Sequence, residues 1–282
     1  MPGRSLRSGE PSVITDFGEV LYSKNRKTRP RESTGSLASR TSEQPRSERT
    51  LQERLFQALL PTHQGKKEFF PKKVLRTIVT KTRVRDELSK ELNADVYDEH
   101  VIKEYAERIC KETEFDEAGP KKIISFRKIF VILVMIGKTP AIIKFLEQDV
   151  NDSDLPLKKV PRPYEKGSYD LRRSRDPDTP LKCFSKKWNQ LHIRNFEGYQ
   201  WTTLAPFFAK PRHKRVEHYE LQEQAILPFL SASRTGQTST HNPLEFEGGF
   251  GRVFKVDIHP DHHNFDCHNI NVSRVTATLR LT

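Results

Sequence analysis

The longest apolar run in the chain, IFVILVMI at Ile129–Ile136, limits what everything around it can become. Its eight residues are too few for a membrane span, which takes ~20. A helix that is apolar all round must instead be buried all round. Pro120 precedes the run and Gly137 follows it, the usual punctuation of a helix, so the pattern predicts a buried central helix over 120–137. Only 34% of the chain is hydrophobic, against ~45–50% apolar residues in a typical globular domain. The apolar residues must therefore gather around that helix and leave other segments without a core.

Residues 1–49 are such a segment. They are rich in Ser, Arg, Thr, Glu and Pro, with no apolar period, and burial there cannot offset the entropy of ordering. They are expected to be a disordered basic tail, with KNRKTRPR (24–31) as a solvated cluster, a nuclear-import signal or a polyanion contact. From Thr50 the pattern changes. Thr50 is placed to N-cap a helix whose face carries Leu51, Leu55, Leu59 and Phe56. Val74, Ile78, Val84 and Leu88 continue at helical spacing, as do Val101, Tyr105 and Ile109 behind Asp98 and Glu99. Thr139 and Pro140 open another short helix. Residues 50–150 thus read as a small, wholly α-helical region.

Prolines, aspartates and basic residues break any period over 151–180, which reads as a linker. Residues 181–240 hold both tryptophans, Trp188 and Trp201, and several phenylalanines, so they must be buried against something. The alternation in YQWTTLAPFF suits a short strand or docking segment. This aromatic-rich region is expected to be irregular. Residues 241–282 end the chain with a β-hairpin, so the fold class expected is mainly α with one C-terminal hairpin.

That hairpin is EFEGGFGRVFKVDI, Glu245–Ile258. Close glycines permit a tight turn whose backbone N–H groups can approach phosphates. Phe254, Val256 and Ile258 then alternate with polar residues as a strand does. Dinucleotide-binding turns and P-loops open a helix instead. A strand after the glycines is the protein-kinase arrangement. The generic alternative is a glycine-rich hairpin that needs no nucleotide.

EGGFGRVFKV resembles the Gly-rich loop of protein kinases. SDLPL, SRDPDTPLKCF, NFEGYQWTTLAPFFAK, QAILPF and GGFGRVFKVDIHPDHHNF resemble the N-terminal region of fungal protein kinase-like proteins, so the likeness spans roughly 50–265. The resemblance implies ATP as ligand, with Gly248, Gly249, Phe250, Gly251 and Val253 as the cofactor-binding residues. Gly248 and Gly251 stand for the second and third glycines, Phe250 for the aromatic tip and Val253 for the residue packing on adenine. Mg²⁺ would be implied only with a complete kinase domain. Phe246 stands where the first glycine belongs, no lysine follows Lys255, and neither H-R-D nor D-F-G follows the loop. Phosphoryl transfer is mostly positioning and electrostatics, and it depends on those groups. The chain is therefore read as a kinase-like fragment with a truncated catalytic domain, no catalytic residues and no activity of its own.

Two other function classes stay open. One is an interaction or adaptor protein whose helical region docks an unknown protein partner. The other is a nucleic-acid binder, suggested by a net charge of +12 and by KPRHKR (210–215). The lack of aromatics interleaved with basic residues argues against nucleic acid. His259, His262, His263, Cys267 and His268 are zinc-ligand types, but no C-x-x-C accompanies them and a surface turn explains them as well. Cys110 falls on an apolar face; Cys183 reads as a surface or packing residue, the alternative being a somewhat activated thiol beside Lys182. Three scattered cysteines and no apolar leader or span predict an intracellular protein, cytoplasmic or nuclear, with no membrane partner.

Overall fold

A computed structural model describes residues 49–111, 115–116, 119–120, 124–184, 187–210, 219–230, 245–248, 251–265 and 275–277. The expected N-terminal tail lies outside them, Arg49 aside.

α1 (Leu51–Ala58) begins where expected. Thr50 accepts from the Glu53 N–H while the Glu53 carboxylate accepts from the Thr50 N–H, a capping box. Leu51 and Leu55 are buried on its inner face, but Phe56 turns outward and is 40% exposed. The region is not wholly helical. β1 (Leu60–Pro61) and β2 (Glu68–Phe69) form a small antiparallel hairpin. α2 (Lys72–Ile78) and α3 (Lys81–Glu91) follow, separated at Thr80, which caps α3. α4 (Glu99–Ile109) is capped by Asp98. Its buried face is Ile102, Ala106 and Ile109; Ile109 was expected there, while Val101 and Tyr105 are half-buried at its edge. A two-residue pair, β3 (Phe115–Asp116) and β4 (Gly119–Pro120), comes next.

α5 (Arg127–Met135) carries the apolar run, and every residue from Ile129 to Met135 is buried. Each such side chain contributes on the order of 1.5–3 kcal/mol when fully buried. The helix starts seven residues after Pro120, at Arg127. Its end agrees with expectation. Gly137 adopts φ +65°, and the Lys138 N–H returns to the Leu133 carbonyl, a Schellman closure. After a 3-10 turn at Thr139–Ala141, α6 (Ile142–Glu147) buries Ile142, Ile143, Phe145 and Leu146.

The expected linker is instead part of the folded unit. β5 (Lys158–Pro161) and β6 (Tyr169–Arg172) form an antiparallel hairpin that buries Leu157 and Leu171 in the main core. Beside it, Asp154 is nearly sealed from solvent and makes ion pairs with Arg173 at 3.2 Å and Arg175 at 2.8 Å. The local period fails here because the buried groups are charged and paired.

The expected strand in the aromatic-rich region is a helix. α7 (Gln190–Thr203) is the longest element among the described residues, with 14 residues. Its aromatic and β-branched side chains favour strands locally, and tertiary packing overrides that preference. Ile193, Phe196, Gln200 and Thr203 line its buried face. Gln200 hid the period. Its amide pairs like a strand with the Leu157 backbone, accepting from the N–H at 2.8 Å and donating to the carbonyl at 3.2 Å. Phe145, Phe184, Trp188 and Phe196 pack as one ring cluster, with Phe145 stacked on Phe196 at 5.7 Å. Phe196 and Phe145 are buried, and Phe184 and Trp188 are half-buried against them.

β7 (Phe229–Leu230), β8 (Glu245–Gly248), β9 (Gly251–Ile258) and β10 (Val275–Ala277) form a four-stranded sheet. The fold is thus mixed: helices with small antiparallel hairpins, and a C-terminal antiparallel pair where one was expected. Glu48–Thr282 is one compact unit. Among the described residues no helix is long and apolar enough to cross a membrane.

Candidate functional site

β8 and β9 pair from Glu245 opposite Phe254 to Gly248 opposite Gly251, and Phe246 sits opposite Val253. The connection is therefore two residues long. Those residues, Gly249 and Phe250, lie outside the described set. Short connections of this kind are where glycine's freedom in φ matters most. Phe254 pairs with Glu245 on one side and Ala277 on the other, so β9 runs between β8 and β10. Gly248, Gly251 and Val253 thus share one end of a three-stranded antiparallel array.

The other end of β9 is fixed to the helical region. β7 pairs with Asp257 and Ile258, and the His259 N–H donates to the Pro228 carbonyl. Asp261 accepts from the Lys73 backbone N–H at 3.2 Å and pairs with its ammonium at 3.3 Å. His262 is buried between two carbonyls, with Nδ1 2.9 Å from Pro206 O and Nε2 3.2 Å from Phe70 O. Burial pushes its pKa below the ordinary value, while the two carbonyls pull the other way. The histidines read as zinc-ligand types thus include one with a structural place. Among the described residues no three His, Cys, Asp or Glu side chains converge to hold a metal. Cys267 and His268 lie outside them.

Sequence reasoning missed a basic cleft beside this junction. α2 supplies Lys72, Lys73 and Arg76, the end of α4 leads into Lys111, and α5 starts with Arg127 and Lys128. These six cations and two carboxylates, Asp152 and Asp261, line a cavity of about 430 Å³. Arg76, Lys111 and Arg127 also line a neighbouring hollow of about 710 Å³ that reaches Lys81 and Arg108. Both carboxylates are already engaged. The Asp152 oxygens accept from the Lys128 and Ile129 N–H groups at 3.1 Å, capping α5 from a distant segment. Burial pushes the Asp152 carboxyl up from its ordinary range. Lys72 lies 4.3 Å above the Phe207 ring. Its pKa is lowered by burial, then by the nearby Lys128 and Arg76. Burial also lowers Lys128, against the pull of Asp152. The clue in the sequence was three short basic groups, at 72–76, 111 and 127–128, which only the fold brings together. Most of KPRHKR, the basic run chosen from sequence, lies outside the described residues.

Neither described cysteine is poised for chemistry. Cys110 is buried, with its thiol 3.6 Å from the Val79 carbonyl. Cys183 is buried in the core, the packing role read for it, and burial pushes its thiol up to about 12, against the alternative of activation beside Lys182.

No family model, curated protein or solved structure matches this chain.

Proposed function

We propose that this chain acts by binding, as a kinase-like region that receives a nucleotide at its glycine hairpin without transferring phosphate. One observation carries the reading: Gly248 opposite Gly251, with a two-residue connection, at the end of an antiparallel array centred on β9. Backbone N–H groups in such a turn can meet phosphate oxygens without a side chain between them. The chemistry for transfer is not supplied by the residues around it. No lysine follows Lys255, no H-R-D occurs, and the triplet Asp16-Phe17-Gly18 stands far upstream of the hairpin rather than after it.

Titration of the full chain with ATP and Mg²⁺ by calorimetry tests this. The expected result is saturable binding that weakens about tenfold in Gly251→Val, where a branched side chain crowds the turn, with no label passed from ATP to protein. Absence of binding at millimolar ATP, or label transfer by contaminant-free protein, would overturn it. The adaptor reading has its own support. Among the described residues the main core runs from Leu51 to Phe196, and the helices around it offer a surface on which a partner could dock.

A further inference from the structure

We infer that the cleft between α2, the end of α4 and the start of α5 is a binding site for a small ligand carrying two or more phosphate groups. This site is separate from the glycine hairpin and does not rest on the nucleotide reading.

Charge is the first ground. Lys72 and Arg76 are one helical turn apart on α2 and share a face. Lys111, Arg127 and Lys128 reach the same cavity from α4 and α5. No ion pair among the described residues involves Lys72, Arg76 or Lys111. The two carboxylates at the site are engaged within it, Asp152 by the α5 N–H groups and the charge of Lys128, and Asp261 by Lys73, which leaves Lys72, Arg76 and Lys111 for a ligand. Among the described residues the cleft is lined by six cations and two carboxylates, a clear excess of positive charge. Burial lowers the pKa of Lys72, and the nearby Lys128 and Arg76 lower it further. An anion seated there relieves that repulsion, so its binding is favoured by more than a single surface contact would give.

Shape is the second ground. A concave space of about 430 Å³ fits a small molecule. Nucleic acid needs a basic stripe along an open face. Hard, multiply charged phosphate oxygens match a mixed set of lysine ammonium and arginine guanidinium donors. Two or more phosphates are called for because the cations reach the cavity from three separate elements.

The test titrates the full chain with inorganic tripolyphosphate by calorimetry at fixed ionic strength. Arg76→Glu and Lys111→Glu should each weaken binding by about tenfold or more, one decade being ~1.4 kcal/mol. Lys166→Glu, in the exposed turn between β5 and β6, makes the same net-charge change away from the cleft and should leave affinity unchanged. Thermal unfolding of each variant without ligand confirms that it folds. Unchanged affinity in Arg76→Glu and Lys111→Glu overturns the assignment. So does an equal loss in Lys166→Glu, which would mark a general charge effect. Equal competition by sulfate at matched ionic strength, or tighter binding of duplex DNA than of tripolyphosphate, would overturn it too.

Discussion

Around α5, Ile129 through Met135 are buried without interruption and meet α1, α6 and α7 through aliphatic and aromatic side chains. Just past the end of β9 the chain is tied to the same unit by polar contacts, His262 between two carbonyls and the Asp261–Lys73 pair, beside a small cluster of Phe69, Ala205 and Ile226 on which Leu230 of β7 packs. Apolar burial is indifferent to pH, whereas a buried imidazole and an ion pair are not. Two regions of one compact unit are therefore expected to answer differently to the same perturbation. The core should fail all at once, and the sheet's attachment should loosen by itself.

The largest effect is expected from Phe130→Ala, which empties a fully buried site in α5. Loss of a buried phenylalanine ring costs about 3–5 kcal/mol. Urea unfolding should show that loss in a single transition that takes the C-terminal sheet with it, because Phe70 and Pro206, its anchors, belong to the helical region. A sheet that kept its amide protection after the core had melted would break the comparison. Arg173→Ala comes next. It removes one of two cations from Asp154, whose side chain is 1% exposed. Stranding a buried carboxylate costs about 3 kcal/mol, reduced here because Arg175 stays. Full stability in that variant would mean that the pair adds nothing beyond packing.

How far each region could be read from sequence follows the same division. Thr50, Asp98, Gly137 and the run 129–136 speak through local rules, capping and continuous burial, and the structure places them as those rules require. Of the expected stripe on α4, Ile109 is buried and Tyr105 packs partly on the core, while Ile102 and Ala106 take the inner positions expected of Val101 and Tyr105. α7 was missed because its buried face includes a glutamine bonded to a backbone far away in sequence. The cleft was invisible for a related reason. Its cations come from three elements, and no spacing within any one of them signals the others. At the hairpin the strand pairing was legible from alternation and glycine. Nothing in the periodicity says which ligand, if any, the turn meets.

His262 offers a smaller, more local effect. The neutral ring can donate to one of the Pro206 and Phe70 carbonyls, so His262→Ala removes that hydrogen bond and the packing of the ring, at about 1–3 kcal/mol. Hydrogen exchange should rise in 258–265 and leave α5 unchanged. Acid should act in the same direction. The ordinary value is 6.5, and burial holds the folded ring lower. Between those two values the unfolded chain binds the extra proton, so stability falls as pH falls through that window. His259, 5.8 Å away and also lowered by burial, adds the same sign. Lys72, Lys73, Asp261 and His263, the other charged or titratable neighbours, modulate the size of the effect rather than its direction. Protection in 258–265, corrected for the intrinsic pH dependence of amide exchange, should fall as pH drops below about 6.5, and a flat profile would remove the histidine from this role.

The thiols provide the finest discrimination. Cys110 and Cys183 both belong to the main core, and the thiolate is the species that reacts. With its thiol held near about 12, Cys183 exposes only about one thiolate in ten thousand near neutral-to-alkaline pH, even before access is considered. Labelling of both residues should therefore follow opening of the core and nothing smaller. Dipyridyl disulfide, which reacts with thiols in acid, can be applied while exchange in 258–265 is followed at the same pH. Fast exchange there with Cys110 and Cys183 still unlabelled would mean that the sheet detaches from an intact core. Labelling in step with that exchange would mean that the His262 junction is bound into the same cooperative transition as α5, and that the few polar contacts there hold more than the sheet.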